Sequence, residues 1–251
     1  MHPLMIFPLL FGTGFVAGLL DSMAGGGGLI TIPVLLGLGM PPQTALGTNK
    51  LQGTFGSGSA MLHFARAGAV QLRECAAGIL LTAIGASLGA LAVQRLDAEF
   101  LSTAIPLLLI AMALVLLFSP RLGMEDVRER MGRSSFFLLF GLSVGFYDGF
   151  FGPGTGTFWA MAFVLLLGFS LTRATAYTKV MNFTSNLVSL AFFLAAGFVS
   201  LPEGIVMGLG QFAGARLGSR LVLKKGSRLV RPVFIAVVVA ISMKLLWRSA
   251  R

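Results

Sequence analysis

The stretch "GFVAGLLDSMAGGGG", residues 14–28, decides what kind of molecule this is. Asp21, one of only nine acidic residues in the chain, stands just ahead of four consecutive glycines, Gly25, Gly26, Gly27 and Gly28. In water such a run would be a flexible loop. In hydrocarbon, irregular backbone is tolerated only where protein buries it or water reaches it. The solvent follows from the rest of the chain. Of 251 residues 56% are hydrophobic and 11% charged, whereas soluble domains carry about 25% charged residues. The mean hydropathy is +0.89. Apolar runs recur at 3–20, 74–93, 100–118, 135–151, 155–171, 183–199, 203–222 and 230–247, close to the roughly 20 residues that a bilayer span needs. The chain reads as an all-α, polytopic membrane protein with eight to ten transmembrane segments.

Several classes fall away. The opening "MHPLMIFPLL" has no Lys or Arg, and its apolar stretch is too long for the core of a signal peptide. A single cysteine, Cys75, provides no disulfide framework, and His2 and His63 are too few for a metal cage. The net charge of +10 is carried by Arg66, Arg73, Arg121, Arg128, Arg130, Arg133, Lys224, Lys225 and Arg228, all between apolar runs. That is the pattern of cytoplasmic loops, not of a nucleic-acid stripe. "GTNKLQ" lacks the glycine spacing of a phosphate loop, "GPGTGT" follows no strand, and "NFT" at 182–184 is a sequon inside an apolar run. No catalytic constellation stands out. We expect neither an enzyme nor a cofactor.

The chain also repeats itself. "GFVAGLLDSMAGGGG" aligns with "GLSVGFYDGFFGPGTG" (141–156), placing Asp21 over Asp148, Gly25 over Gly152 and Gly27 over Gly154. "ALGTNKLQ" (45–52) aligns with "TAYTKVMN" (175–182), Lys50 over Lys179, and "GASLGALAVQRL" (85–96) with "GQFAGARLGSRL" (210–221). Three blocks in order, at nearly constant offset, define two repeats, 1–118 and 135–251, joined by a polar cytoplasmic linker at 119–134. Each holds five apolar or weakly apolar segments, in the first near 3–22, 28–40, 48–65, 73–94 and 101–118. Five crossings per half would make the repeats inverted; a re-entrant second segment would make them parallel. The loops near 66–73, 119–134, 170–175 and 223–228 share one face if all five cross, which favours inversion. Arg95, Arg248 and Arg251 count against it.

Paired helix breaks in matching positions of two repeats are the sequence sign of a transporter's binding site. Helices restarting near Gly28 and Thr155 would turn backbone N–H groups and a positive dipole into a cavity suited to a small oxyanion. Glycines can also simply let helices approach. For Gly85, Gly89, Gly210 and Gly214 we expect that role; for 25–28 and 152–156 we expect the cavity. Lys50 and Lys179 are ionisable groups inside apolar surroundings. They could meet an anion, pair with Asp21 and Asp148, or snorkel to the interface. Asn49, Gln52, Asn182, Ser185 and Asn186 add polar groups nearby, and Lys179, Asn182, Asn186 and Ser189 form one helical stripe.

At these motifs the chain resembles the TauE/SafE family of membrane permeases. "GLLDSMAGGGGLITIPVLLGLGMPPQTALGTNKLQG" is similar to its first repeat, and "GFYDGFFGPGTGTFWAMAFV" with "ATAYTKVMNFTSNL" to its second. The second repeat departs from the first in having Tyr177–Thr178 before its lysine. The resemblance implies transport of sulfite or small organosulfonates such as sulfoacetate. It carries over, as substrate-binding residues, Gly25, Gly26, Gly27, Gly28, Asn49, Lys50, Gln52, Gly152, Gly154, Thr155, Lys179, Asn182 and Asn186, with Asp21 and Asp148 as coupling or ion-pair residues. The expectation is a multi-pass secondary transporter of the bacterial inner membrane, working by alternating access with a proton gradient available through Asp21 or Asp148. An anion channel and a non-transporting scaffold are the alternatives. The partners expected are a small anion and the lipid bilayer, with no nucleic acid, no metal and room for a homodimer.

Overall fold

A computed structural model of the chain describes residues 3–117 and 128–226. The last apolar run, 230–247, the terminal arginines and most of the linker lie outside the described residues. Within them all regular structure is helical, so the all-α expectation holds. The order is α1 (Pro3–Ala24), α2 (Gly28–Gly37), α3 (Pro42–Arg66), α4 (Ala76–Gln94) and α5 (Ala98–Leu117), then α6 (Arg133–Phe136), a π-helical turn (Phe137–Gly141), α7 (Leu142–Phe150), α8 (Thr155–Leu167), α9 (Leu171–Ala195) and α10 (Leu201–Lys225).

Two stretches, Ile6–Met23 and Leu72–Gln94, are long and apolar enough to cross a membrane. The expected eight to ten spans are thus met only in part by length and composition. α3, α9 and α10 have 25 residues each, about 37 Å at 1.5 Å per residue, but spend their polarity inwards. α2 and α8, with 10 and 13 residues, reach about 15 and 20 Å, short of the roughly 30 Å hydrocarbon core. Neither crosses as a helix by itself.

Small residues set how the helices run. On α10, a Cβ at Gly210, Gly214 or Gly218 would strike the carbonyls of Phe11, Phe15 and Leu19 of α1. Their order makes α1 and α10 parallel and in backbone contact. α4 and α7 pack in the same manner, Gly85 and Gly89 against the carbonyls of Leu142 and Phe146. The four glycines expected to be packing residues are that. α3 runs parallel to α10, with Gly204 against Leu51, Gly208 against Phe55 and Ser59 donating to the Phe212 carbonyl at 3.0 Å. α3 and α9 run antiparallel, since Gly47 faces Phe193, Gly53 faces Asn186 and Gly58 faces Phe183. Two bundles result: α1, α2, α3 and α10, and α7, α8, α9 and α4. In each, the fourth helix comes from the other half of the chain.

The basic segments converge at one end. Glu74 accepts bonds from Tyr177 Oη (2.6 Å) and Arg133 (3.2 Å), and Arg173 lies 3.8 Å away, its guanidinium stacked over Phe169. The Arg130 N–H bonds the Leu166 carbonyl, and Gly226 lies close to Thr172. The loops after α3, before α6, before α9 and after α10 therefore share a face.

The exterior is apolar. Leu80, Leu88, Phe100, Leu107, Leu138, Leu201 and Leu209 are each half or more exposed, while Lys50 and Lys179 are 1% exposed. Hydrocarbon outside and charge inside fits a solvent that cannot hydrogen-bond. At that burial neither lysine snorkels.

Candidate functional site

The first break starts where α1 ends. Gly25 and Gly26 have φ of 79° and 92°, a region costly for any residue with a Cβ, so the backbone turns and α2 restarts at Gly28. Asp21 spans the break: its Oδ1 accepts the Gly27 N–H at 3.2 Å. A carboxylate thus sits at the positive end of the new helix. Lys179 reaches across from α9 and donates to the Asp21 backbone carbonyl at 2.6 Å and to Oδ2 at 2.9 Å.

The second break repeats this chemistry with different details. Gly152 and Gly154 have φ of 98° and 83°, and α8 restarts at Thr155. Lys50 donates from α3 to the Asp148 backbone carbonyl and, at 2.7 Å, to Asp148 Oδ1. Ser185 donates to Oδ2, and Tyr147 Oη holds the Pro153 carbonyl at 2.8 Å. The aligned pair Gly27 and Gly154 differ, since only Gly154 has positive φ. Pro153 has its own fixed φ, so the left-handed turn falls on the glycines either side of it.

Each lysine is a tethered cation at the C-terminal end of a broken helix, Lys179 sharing the Asp21 carbonyl with the Gly25 N–H (2.9 Å) and Lys50 holding the Asp148 carbonyl. It neutralises the adjacent carboxylate as well. Of the roles expected for the lysines, the structure displays pairing, and each pair joins the two halves. The pairs differ in access: side-chain exposure is 1% and 4% for Lys50 and Asp148, and 1% and 14% for Lys179 and Asp21. From the antiparallel register of α3 and α9, Lys179 lies at the level of Met61. The backbones of the two lysines are therefore about 16 Å apart along the bundle.

Between them is a small cavity of ≈ 40 Å³, well below the roughly 300–1,000 Å³ of drug-sized sites and enough for a few water-sized groups. Its wall brings together Asp21, Gly26, Gly27, Gly28, Asn49, Gln52, Asp148, Gly152, Gly154, Thr155, Asn182 and Asn186 from the sequence reading. Gly25, Lys50 and Lys179 are not in the wall. The ammonium groups are occupied as described. Gly25 instead packs on the other break, where a Cβ would meet Thr157 N and Gly156 C at 2.7 and 2.8 Å. Gly28 likewise faces Pro153. The glycine runs expected to serve the cavity alone therefore also let the two breaks touch.

The wall also holds Gly156, which closes the 152–156 run expected at the cavity but was not singled out, and Gly53 and Gln211, which sequence reasoning missed. Gln211 is the lone amide in "GLGQFAGARLG" and could have been noticed. Also missed was Thr31, which donates to Asn49 Oδ1 (2.8 Å) and accepts from Gln52 Nε2 (2.8 Å), with Gln52 Nε2 also 2.7 Å from Asn49 Oδ1. Ser189, the end of the polar stripe, is buried with its hydroxyl unpartnered and is not in the wall. Among the described residues, no aliphatic or aromatic side chain lines the cavity.

Comparison with known proteins agrees with this architecture. A family model described as "Sulfite exporter TauE/SafE" matches residues 10–245. The chain is 49% identical over 249 residues to the probable membrane transporter protein YfcA of Escherichia coli K12, covering 98% of this chain and 93% of that one. It is 47% identical over 246 residues to a probable membrane transporter protein of Haemophilus influenzae, covering 96% and 95%. A more distant relative, the probable membrane transporter protein YunE of Bacillus subtilis, is 23% identical over 270 residues.

Proposed function

The chain belongs to the TauE/SafE family of membrane transporters, and from that membership we propose that it is a multi-pass secondary transporter of the bacterial inner membrane. Its cargo is a small oxyanion, sulfite or an organosulfonate, moved by alternating access through the cavity between the two breaks. One observation carries this reading: a wall made only of Asp, Asn, Gln, Thr and Gly, with two helix starts in it, inside an apolar protein. A scaffold has no need of such a wall.

The ion pairs supply the mechanism. Lys50, Asp148, Lys179 and Asp21 sum to zero charge, so a bound anion is uncompensated unless a carboxylate yields. An oxyanion at the Gly28 helix start would take the place of the Asp21 carboxylate on the Gly27 N–H and on Lys179. Protonation of Asp21 would release both donors, which couples anion entry to a proton. Asp21 suits this better than Asp148, because its side chain is the more accessible of the two, 14% against 4% exposed. The equivalent helices α3 and α9 run in opposite directions, which supports inverted repeats. With the two lysines anchored at different levels of the bundle, opening one pair while the other stays closed gives access from one side at a time. A channel would need both open together.

Uptake of labelled sulfite into proteoliposomes tests the proposal. Saturable uptake, driven by an imposed proton gradient and lost in Lys179→Gln, is the expected result. No uptake under any gradient would remove it, and ion currents far above carrier rates would favour the channel.

A further inference from the structure

We propose that the cavity selects a monoprotonated oxyanion, one that carries its own O–H, over a fully deprotonated oxyanion or a sulfonate. This rests on the anion-transport reading above and names its substrate class more closely. Three carboxamide oxygens, Gln52 Oε1, Asn182 Oδ1 and Gln211 Oε1, are buried without a donor among the described residues. All three residues line the cavity, and they are 1%, 5% and 3% exposed. A buried acceptor left without a donor is destabilising, so three around one cavity call for a ligand that donates.

The two ends of a carboxamide can be exchanged by a flip, which would turn an acceptor into a donor. For Asn49 and Gln52 the flip changes nothing. They bond to each other and to Thr31. As drawn, Gln52 Nε2 is spent on Asn49 Oδ1 and Thr31, leaving the Gln52 oxygen and the Asn49 amino group. With both flipped, the Gln52 oxygen and Asn49 amino group are spent on each other, leaving the Gln52 amino group and the Asn49 oxygen. Either way the pair presents one donor group and one acceptor. The ligand must therefore accept and donate at this wall.

A fully deprotonated oxyanion offers acceptors alone. It would satisfy the N–H groups near Gly28 and Thr155 but face the amide oxygen, Asp21 and Asp148 with nothing to give. An oxyanion bearing a hydroxyl places that O–H on the amide oxygen while its remaining oxygens take the N–H groups. Charge points the same way. The wall's two carboxylates and the two lysines paired with them cancel, so a second negative charge on the cargo would be buried without compensation. An apolar substituent, as in a sulfonate, finds no aliphatic or aromatic side chain among the described residues of the wall.

The test is binding of sulfite, sulfate and methanesulfonate to the purified full-length protein by titration calorimetry, across the pH at which hydrogen sulfite loses its proton. Methanesulfonate cannot carry that proton, so it reports the protein's own titration. Above that pH the apparent affinity for sulfite, divided by that for methanesulfonate, should fall about tenfold per pH unit. Sulfate, fully deprotonated throughout, should bind more weakly than hydrogen sulfite. A flat sulfite-to-methanesulfonate ratio, or sulfate binding as tightly as hydrogen sulfite, would overturn the inference and leave anion transport standing. Absence of binding by all three at every pH would overturn both.

Discussion

Lys50 and Lys179 each hold the end of a helix that belongs to the other half of the chain. Both are fully buried, so removing one leaves a carboxylate in low dielectric with no counter-charge. Lys50→Ala should lower unfolding stability by about 3–5 kcal/mol, read by chemical denaturation in detergent, and Lys50→Ala/Asp148→Ala should recover part of that loss. Equal losses in the single and double variants would mean that the pair contributes only packing. The two acids should also separate. Asp21→Asn leaves Lys179 without a counter-charge and should lower stability, but by less than Asp148→Asn because Asp21 is the more exposed acid; it should also abolish proton-driven accumulation of sulfite while downhill exchange persists. The residues of these pairs were visible in the sequence as matched acids and lysines. Their partners were not, because the crossing of α3 and α9 that brings Lys179 to Asp21 is a tertiary fact with no local signal.

At the scale of elements, the helices are spaced by glycines whose effects depend on what stands opposite. Gly12 and Gly14 lie two residues apart on α1. A Cβ at Gly12 meets nothing within 4 Å, whereas at Gly14 it would strike the Met207 carbonyl of α10. Gly12→Ala should therefore be neutral or raise stability by up to about 1 kcal/mol, and Gly14→Ala should lower it by about 1–3 kcal/mol, both measured by thermal unfolding. Gly25→Ala combines positive φ with a clash against Thr157 and should abolish uptake as well as destabilise. The runs at 25–28 and 152–156 were legible as helix breaks because no other reading accommodates so many glycines beside an acid. That the breaks also touch was not legible, since close approach is set by the backbone across the contact. The second segment, α2, was legible as short and able to re-enter, whereas the shortness of α8 was masked, as its apolar run continues past the helix end into "GFS".

Across the whole molecule, the fourth helix of each half packs in the bundle of the other. If the bundles move against each other, the moving bodies are these mixed sets and not the two consecutive halves of the chain. The duplication and the basic loops were readable from spacing and charge alone. The exchange of α4 and α10 was not, because an aligned repeat fixes which residues correspond but not which copy they pack against. The shared face of the basic loops has a direct check. In a Cys75→Ser background, Ala67→Cys and Ala196→Cys, both exposed and at opposite ends, should label with a membrane-impermeant thiol reagent from opposite sides. Labelling from the same side would contradict the helix directions. The central claim, however, is that an oxyanion occupies the space between the two breaks. Thermal unfolding of the purified protein with sulfite, sulfate, methanesulfonate and chloride, beside an Asn49→Leu/Asn182→Leu variant, tests it most directly. A folded-state ligand at about 100 times its Kd should add about 2.7 kcal/mol. The account predicts that stabilisation for sulfite in the wild type and its loss in the variant. Equal stabilisation of both proteins, or of neither, would contradict it.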